Sequence, residues 1–533
     1  MPALAQKQKK ADKLIIHNLH DHIEYLASDK LEGRRTGTNG ERLAYEYISK
    51  QFELNHLIPE GDKGTYIQAF EVNEGKQVNP ATHLLINGND LALNTEYFPF
   101  VQNPNRTLES LTSLQNNIAG NTWFMDIAPV LDENKTNPHF ELKDFIKTST
   151  HDMAGKGAVA VIYYNSSAKE DELKFEPKGK TEESAIPAFY ISREAMKKYI
   201  PQPDAALDIQ LRSDIGDKTR TGHNILGYIN NGAACTVILG AHYDHLGYGE
   251  DHNSLYTGTV KQIHNGADDN ASGTAALIEL GRLLSQSKFK HCNYLLASFS
   301  GEELGLYGSK YYTDHPVFSL DSTSYMINMD MVGRLNDSTH GLTIGGYGTS
   351  PVWGEMIIEK DDYFRIKFDS SGTGPSDHTS FYRKNIPVLF FFTGVHSDYH
   401  KPTDDAEKIN YTGEWMVVKY IYNLVGALNK KGKLAFTKTR ESATSSKNSF
   451  KVSLGVMPDY TFSGGGVRID GVSEGKLAQR IGLKAGDILL QLGEHSFSDV
   501  QAYMQVLGKF NKGDATKLKI KRGKDELTFD IVF

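Results

Sequence analysis

Imidazoles and carboxylates crowd into five short stretches of this 533-residue chain. They are Ala241-His242-Tyr-Asp244-His245, Asn265-Gly-Ala-Asp268-Asp269-Asn-Ala-Ser-Gly273, Ser300-Gly-Glu302-Glu303-Leu-Gly305, Asn328-Met-Asp330-Met-Val-Gly-Arg334, and Val395-His396-Ser-Asp398-Tyr-His400-Lys-Pro-Thr-Asp404. In His-x-Asp at a strand end both side chains point the same way, so an imidazole can take a metal while the carboxylate steadies its other nitrogen. Each stretch alone also has an ordinary reading. His242 and Asp244 fit a satisfied polar pair, and Asp268-Asp269 fits a helix N-cap, although a cap needs one acid and not two. Glu302-Glu303 fits a solvated loop, because adjacent carboxylates repel unless a cation or proton compensates. Asp330 follows an apolar run, where a buried charge needs a partner.

The elements that must position these side chains decide between the readings. Thr236–Gly240, Tyr294–Phe299, Tyr325–Met329 and Val388–Phe392 read as strands. Between the first two, Ala276, Leu277, Leu280, Leu283 and Leu284 recur at helical spacing. Strands alternating with helices predict an α/β fold, with a mostly parallel central sheet sandwiched by helices over residues 221–432. In such sheets ligands bind beyond the carboxyl ends of the strands. The five stretches all fall at or just after such ends, so their joint reading is a metal site lined by carboxylates and imidazoles. Two divalent ions account for the inventory better than one, since a single catalytic zinc takes three protein ligands and leaves acids uncompensated. Paired ions suit water activation, which indicates hydrolysis.

Around this core the texture changes. Residues 12 to about 75 read as helical, with Leu43, Tyr47, Ile48 and Phe52 on one stripe after the start signal Thr38-Asn-Gly-Glu41. Residues 85–220 read as a β-rich insert with runs such as Gly157–Tyr164 and Ile186–Ile191, which divides the catalytic domain into 12–84 and 221–432. A polar linker is expected over 437–448, followed by a small domain over 449–533.

Composition excludes several classes. The formal net charge of −8 supplies no basic field for nucleic acid or an anionic membrane. The longest apolar run, Ile386–Phe392, is far short of the roughly 18 residues of a membrane span. Two cysteines, Cys235 and Cys292, cannot build a disulfide framework or a thiolate zinc site, and they read as small buried hydrophobes, so a metal would be held by His and carboxylates. Ala3-Leu4-Ala5 before Gln6 is similar to the end of a signal peptide, from which an exported protein (periplasmic, secreted or cell-surface) is expected, with coincidence as the other reading.

The ordered set His242-Tyr-Asp244, Gly266-Ala-Asp268-Asp269-Asn-Ala-Ser-Gly273, Gly301-Glu302-Glu303-Leu-Gly305, Asp330 and His400 resembles the co-catalytic di-zinc aminopeptidase family, which includes bacterial aminopeptidases, glutamate carboxypeptidase II and glutaminyl cyclases. Upstream, Leu26-Ala-Ser-Asp-Lys-Leu-Glu-Gly-Arg-Arg-Thr-Gly37 resembles the start of that family's catalytic domain. The resemblance spans roughly residues 15–90 and 221–432. It implies two Zn2+ ions bridged by Asp268, with His242 and Asp330 on one and Glu303 and His400 on the other. It further implies Glu302 as general base, Asp244 orienting His242, and a cis peptide at Asp268–Asp269. One departure stands out: Ser371-Gly-Thr-Gly-Pro-Ser376-Asp377-His378 lacks the tyrosine that relatives carry before Ser-Asp-His, which leaves His378 or the metal to polarise the scissile carbonyl.

The insert resembles a protease-associated domain. The C-terminal segment resembles a bacterial PDZ domain, in which the amides of Leu454-Gly455-Val456 would receive a peptide C-terminus and Lys517–Arg522 and Leu527–Phe533 would form strands around Gly523. The resemblance thus implies a zinc-dependent exopeptidase, foremost an aminopeptidase acting on peptides. The alternatives are a carboxypeptidase-like member, for which Arg383-Lys384 would bind an acidic side chain, a glutaminyl-cyclase-like member, and a non-catalytic peptide-binding scaffold. Phe390, Phe391 and Phe392 read as strand core or as the wall of an apolar pocket.

Overall fold

Every residue of the first three candidate strands is buried, as expected of strands covered on both faces. The computed structural model describes residues 10–439 and 452–533, apart from 116, 136, 138, 139, 178–181, 252, 257, 358–360, 459–461, 463, 473–475 and 499. In chain order the elements that matter for the site are α1 (Lys10–Leu26), α2 (Asn39–Leu54), β1 (Ile67–Val78), β2 (Ile215–Ile229), β3 (Thr236–His242), α3 (Gly273–Ser285), β4 (Asn293–Phe299), α4 (Tyr307–Asp314), β5 (Thr323–Met329), β6 (Gly341–Gly345), β7 (Arg365–Phe368), α5 (His378–Tyr382), β8 (Val388–Phe392) and α6 (Tyr411–Leu428). The sheet runs β2-β4-β3-β5-β8-β6-β7, with β1 paired to β2. β4, β3, β5 and β8 are mutually parallel, whereas β2 joins β4 and β6 joins β8 antiparallel. The parallel order expected of the sheet therefore holds at its centre, and its edges make it mixed.

Alternate residues of each central strand serve opposite faces. Val237, Leu239 and Ala241 of β3 pack with Ile15, Leu19 and Ile23 of α1, Ile48 and Phe52 of α2, Leu277 and Leu280 of α3, and Ile421 and Val425 of α6. Ile238 packs the other way, with Tyr312 of α4 and Phe381 of α5. Thr38 caps α2 by accepting from the amide of Glu41, as its start signal predicts. The helical reading of residues up to 75 fails at its end, because β1 is already a strand from Ile67; its side chains alternate inward and outward at period two.

β1 and β2 form a long antiparallel ribbon from Ile67↔Ile225 to Ile215↔Val78, with a shift of register between Asp217 and Thr219. An insert is expected over 85–220; in the structure the chain leaves the ribbon after Val78 and rejoins it at Ile215, so residues 215–220 belong to the ribbon strand and His83–Ile86 to the insert. It contains two four-stranded sheets, one of Asn89–Asp90, His83–Ile86, Leu207–Ser213 and Arg106–Thr112, the other of Tyr97–Pro99, Ala188–Ile191, Ala160–Tyr164 and Thr122–Asp126. Of the expected linker, 440–448 lies outside the described residues. Thr437 and Thr439 are bound to the α/β domain: the Thr437 amide donates to the Thr349 carbonyl and the Thr439 hydroxyl accepts from the Gly372 amide. The C-terminal domain has its own core and an antiparallel sheet, in which Ala515–Arg522 and Asp525–Val532 form the hairpin around Gly523. Leu518 and Ile520 face inward there while Lys517 and Lys521 face solvent.

The two cysteines are not free thiols: Cys235 and Cys292 form a disulfide. They immediately precede β3 and β4, whose parallel register pairs Thr236 with Asn293, so strand pairing brings the two residues to 4.8 Å between Cα atoms. That proximity depends on which strands are neighbours, which composition does not reveal. The bridge spans 57 residues of sequence, and cross-linking a loop of that size is worth about 4 kcal/mol in the chain-entropy account. Without reductant, a thiol assay of the denatured chain should find no free cysteine, and Cys235→Ala with Cys292→Ala should lower unfolding stability by about that amount.

Candidate metal centre

The carboxyl ends of β3, β4 and β5 and the loop after β8 meet at one point. His242 ends β3, Glu302 and Glu303 follow β4, Asp330 follows β5, and His400 lies in the loop beyond β8. Asp269 enters from the turn before α3 and spreads its two oxygens between the imidazoles. Its Oδ1 is 3.4 Å from His242 Nε2, and its Oδ2 is 3.2 Å from His400 Nε2. His242 Nε2 is also 3.4 Å from Asp330 Oδ1, and His400 Nε2 is 3.3 Å from Glu303 Oε2. Four ligands tetrahedrally placed about 2.0–2.1 Å from a zinc ion are separated by about 3.3–3.4 Å. The spacings here match that edge length. Two groups, His242 with Asp269 and Asp330 and His245 with Asp269 and Glu303, place ligand atoms close enough to share an ion, and Asp269 belongs to both.

Both imidazoles aim Nε2 inward because Nδ1 is occupied. His242 Nδ1 donates to the Asp244 carbonyl at 3.2 Å, and His400 Nδ1 donates to the Asn253 carbonyl at 2.9 Å. An outer hydrogen bond of this kind fixes the tautomer that leaves Nε2 as a ligand. His245 is arranged differently: its Nδ1 donates to Glu303 Oε1 at 2.6 Å, so it steadies that carboxylate from the side. Asp244 accepts from the Glu302 amide at 3.2 Å and from Thr36 Oγ1 at 3.0 Å, which ties the loop carrying Glu302 to the strand end.

Electrostatics divides the acids. Burial pushes the Glu302 carboxyl well above the usual range, and Asp330, Glu303 and Asp377 add to the rise against the pull of His242. Burial also raises Asp330. Burial acts on Glu303 in the same direction, but His400 and His245 overcome it and hold the carboxyl well below its ordinary value. Burial lowers both imidazoles, but neighbouring carboxylates, led by Glu302 for His242 and by Glu303 for His400, overcome it and raise each well above its ordinary value. Such a cluster binds positive charge, as protons or as cations.

Arg34 holds the frame. It is completely buried, and its guanidinium donates to the carbonyls of Tyr243 at 2.8 Å, Asn265 at 2.7 Å and Gly266 at 3.0 Å, and also to Leu26. One side chain thereby joins the end of α1, the end of β3 and the turn that carries Asp269.

Six of the seven expected site residues converge: His242, Asp244, Glu302, Glu303, Asp330 and His400. Asp268 does not. Its Oδ1 accepts from the Gly333 amide at 2.7 Å and from Ser272 Oγ at 3.1 Å, and its Oδ2 lies 3.1 Å from His396 Nε2. Asp269, in an extended conformation, points its side chain to the other side of the turn. The cis peptide is displaced by the same single residue, to Asp269–Asn270. Two adjacent acids in a Gly-flanked turn fit either register, and only His396, a partner for one of them, could have marked Asp268 as the outward residue.

Tyr399 was absent from the expectations. Its ring stacks on His400 with centroids 3.9 Å apart. Burial and the carboxylates of Asp269, Glu303, Glu302 and Asp330 raise its phenol well above the usual range, which keeps it a protonated donor beside the cluster. His378 instead stacks on Phe390 with centroids 4.6 Å apart, and burial lowers it to about 3, so it stays neutral. Phe390 and Phe392 stack on each other on the same side of β8, while Phe391 is in the core. Arg383 and Lys384 are exposed, and Lys384 pairs with Asp314 at 2.7 Å.

Residues 224–425 match the protein family described as Peptidase family M28, and residues 439–532 match the PDZ domain. Both regions are thus detected in this chain. Among curated proteins it is similar to Aminopeptidase YwaD of Bacillus subtilis, 30% identical over 271 residues that make up 48% of this chain and 53% of that protein. It is also similar to Leupeptin-inactivating enzyme 1 of Streptomyces exfoliatus, 30% identical over 195 residues, or 35% and 39% of the two chains. The chain spans about half the length or less of these curated relatives. Among solved structures, BSAP, a zinc aminopeptidase from Bacillus subtilis, aligns with 79% of this chain and 98% of its own at 21% identity and a TM-score of 0.43.

The two aspartates separate cleanly by experiment. Asp269→Asn should sharply reduce bound zinc, whereas Asp268→Asn should retain it, as read by metal analysis of the purified full-length variants.

Proposed function

We propose that the chain is a zinc-dependent aminopeptidase with two ions, one held by His242, Asp269 and Asp330 and the other by Asp269, Glu303 and His400. The observation that carries this reading is the division of the Asp269 carboxylate between two imidazole–carboxylate groups at tetrahedral-edge spacing. Bound zinc supplies a Lewis acid for the scissile carbonyl and lowers the pKa of water. Glu302, whose Oε2 is 3.9 Å from His242 Nε2 and whose carboxyl is raised by burial, is suited to take a proton from the attacking water and return it to the leaving amine. Asp244 positions both His242 and the Glu302 backbone. The Tyr399 hydroxyl is the donor suited to the oxyanion that develops on the carbonyl oxygen.

The acids favour an N-terminal ammonium over a C-terminal carboxylate as the recognised group. Arg34, which feels the charge of Asp244, Asp269, Asp404 and Glu303, commits its guanidinium to carbonyls, and Lys384 is paired at the surface. A peptide with a free N-terminus should lose residues from that end in the presence of zinc, and its N-acetylated twin should not, as read by mass spectrometry. Glu302→Gln should lower kcat by about 10²–10⁴-fold while retaining zinc. Loss of zinc in that variant would overturn the role of Glu302 as a base, and C-terminal trimming or cyclisation of the peptide would overturn the aminopeptidase reading.

The insert is read as a protease-associated domain and the C-terminal domain as a PDZ module that holds a substrate's C-terminus. In the second, Leu454 is buried in the core and Gly455 occupies the left-handed region, with its amide donating to Ser453 Oγ at 3.1 Å. Removing residues 446–533 should raise KM for long peptides by more than it does for dipeptides, and equal values would discard the tethering role. The Cys235–Cys292 bridge supports an oxidising, exported location. Among the described residues, no helix is long and apolar enough to cross a membrane.

A further inference from the structure

An ion cluster near the mouth of the centre plays no part in the reaction scheme above. Asp251 accepts from Arg35 through Nε at 2.7 Å and Nη2 at 2.9 Å, and Arg220 Nη2 reaches both of its oxygens at 3.2 and 3.1 Å. Glu74 lies between the same two arginines, 3.3 Å from Arg35 Nη2 and 3.3 Å from Arg220 Nε, with Lys218 Nζ 3.2 Å from its other oxygen. The side chains of Arg35, Glu74, Arg220 and Asp251 are only 10–20% exposed, and bidentate networks of this kind are the ion pairs that hold geometry. Arg35 belongs to the catalytic domain, following Arg34. Glu74 is on β1, and Lys218 and Arg220 are on β2, so these three sit on the ribbon from which the insert grows.

The loop that carries Asp251 also grips one half of the metal centre. The Asn253 carbonyl accepts from His400 Nδ1 at 2.9 Å, and the Asn253 side-chain amide donates to the Glu303 carbonyl at 3.1 Å. The Leu255 amide donates to the His400 carbonyl at 2.9 Å. His400 has φ of 55°, in the left-handed region, where a residue with a side chain stays only if its surroundings hold it. The contacts from Asn253 and Leu255 supply that hold. His242, in the other half, is oriented by Asp244 on its own strand end.

We propose that Asp251 is a positioning residue: the ion cluster on the stem of the insert sets Asp251 in its loop, and through Asn253 that loop sets the His400 ring. The seat of the insert is thereby coupled to the half of the centre built from Glu303 and His400, and not to the half built from His242 and Asp330. The inference rests on the two-ion reading above.

The test is calorimetric titration of zinc into the metal-stripped full-length chain, beside thermal unfolding of the same samples. The unsubstituted chain should bind two ions. Asp251→Asn and Arg220→Gln should each weaken one binding step by about 10–100-fold, as loss of an outer-shell partner does, and leave the other step unchanged. The metal-free melting temperature should stay within about 2 °C. Asp251→Glu, which keeps the charge, should recover most of the affinity. Equal weakening of both steps, no change in either, or an effect of Asp251→Asn without one of Arg220→Gln would overturn the coupling. Fewer than two ions in the unsubstituted chain would overturn the two-ion reading, and the coupling with it.

Discussion

Several carboxylates buried within a few ångströms of one another cannot all stay ionised without compensating positive charge, and the rest of this structure follows from that constraint. Asp244, Asp269, Glu302, Glu303 and Asp330 all lie at the centre, and His242 and His400 between them do not balance the charge. A preorganised cation site needs a frame that resists this repulsion before the cation arrives. Three fully buried parallel strands supply it, with helices packed on both faces so that their ends cannot drift apart. Arg34 adds a staple of a different kind. It donates to carbonyls and not to carboxylates, so it fixes the backbone around the acids and leaves their oxygens free for other partners.

Most of the site was readable in the sequence because the acids and imidazoles sit where a strand ends and apolar patterning stops abruptly. The four strands, their parallel order at the centre of the sheet, and the gathering of the acidic and imidazole stretches at its carboxyl ends follow from that pattern, whereas the choice of individual residues rests on the resemblance. What patterning does not contain is the direction of a side chain inside a tight turn. Asp268 and Asp269 are adjacent, equally acidic and equally flanked by glycine, and the backbone conformation at Asp269 decides which one faces the imidazoles. Tyr399 escaped notice for a related reason: its proximity to the acids arises from a long loop after β8, whose path has no periodicity to read.

The other misreadings concern pairings between distant parts of the chain. Cys235 and Cys292 each look like ordinary core residues, and only the neighbourhood of β3 and β4 makes them a bridge. Residues 67–75 carry apolar positions that a helix could also use, but partnership with β2 settles them as a strand. In both cases a local pattern admits two states and a contact far along the sequence selects one.

The ribbon of β1 and β2 has a consequence for how such a chain can be elaborated. Val78 and Ile215 are ladder partners, so the residues where the main sheet releases the chain and takes it back are already neighbours. A two-residue turn could join them as readily as a module of more than a hundred residues does, and the central sheet would not register the difference. The ribbon acts as a socket: it accepts any independently folded unit whose ends lie about 5 Å apart, and it holds that unit by the ladder and by charges along its edge. The domain that sits there is in that sense interchangeable, while the residues at the base of the socket, where Glu74 and Arg220 of the ribbon meet Arg35 and Asp251, are not.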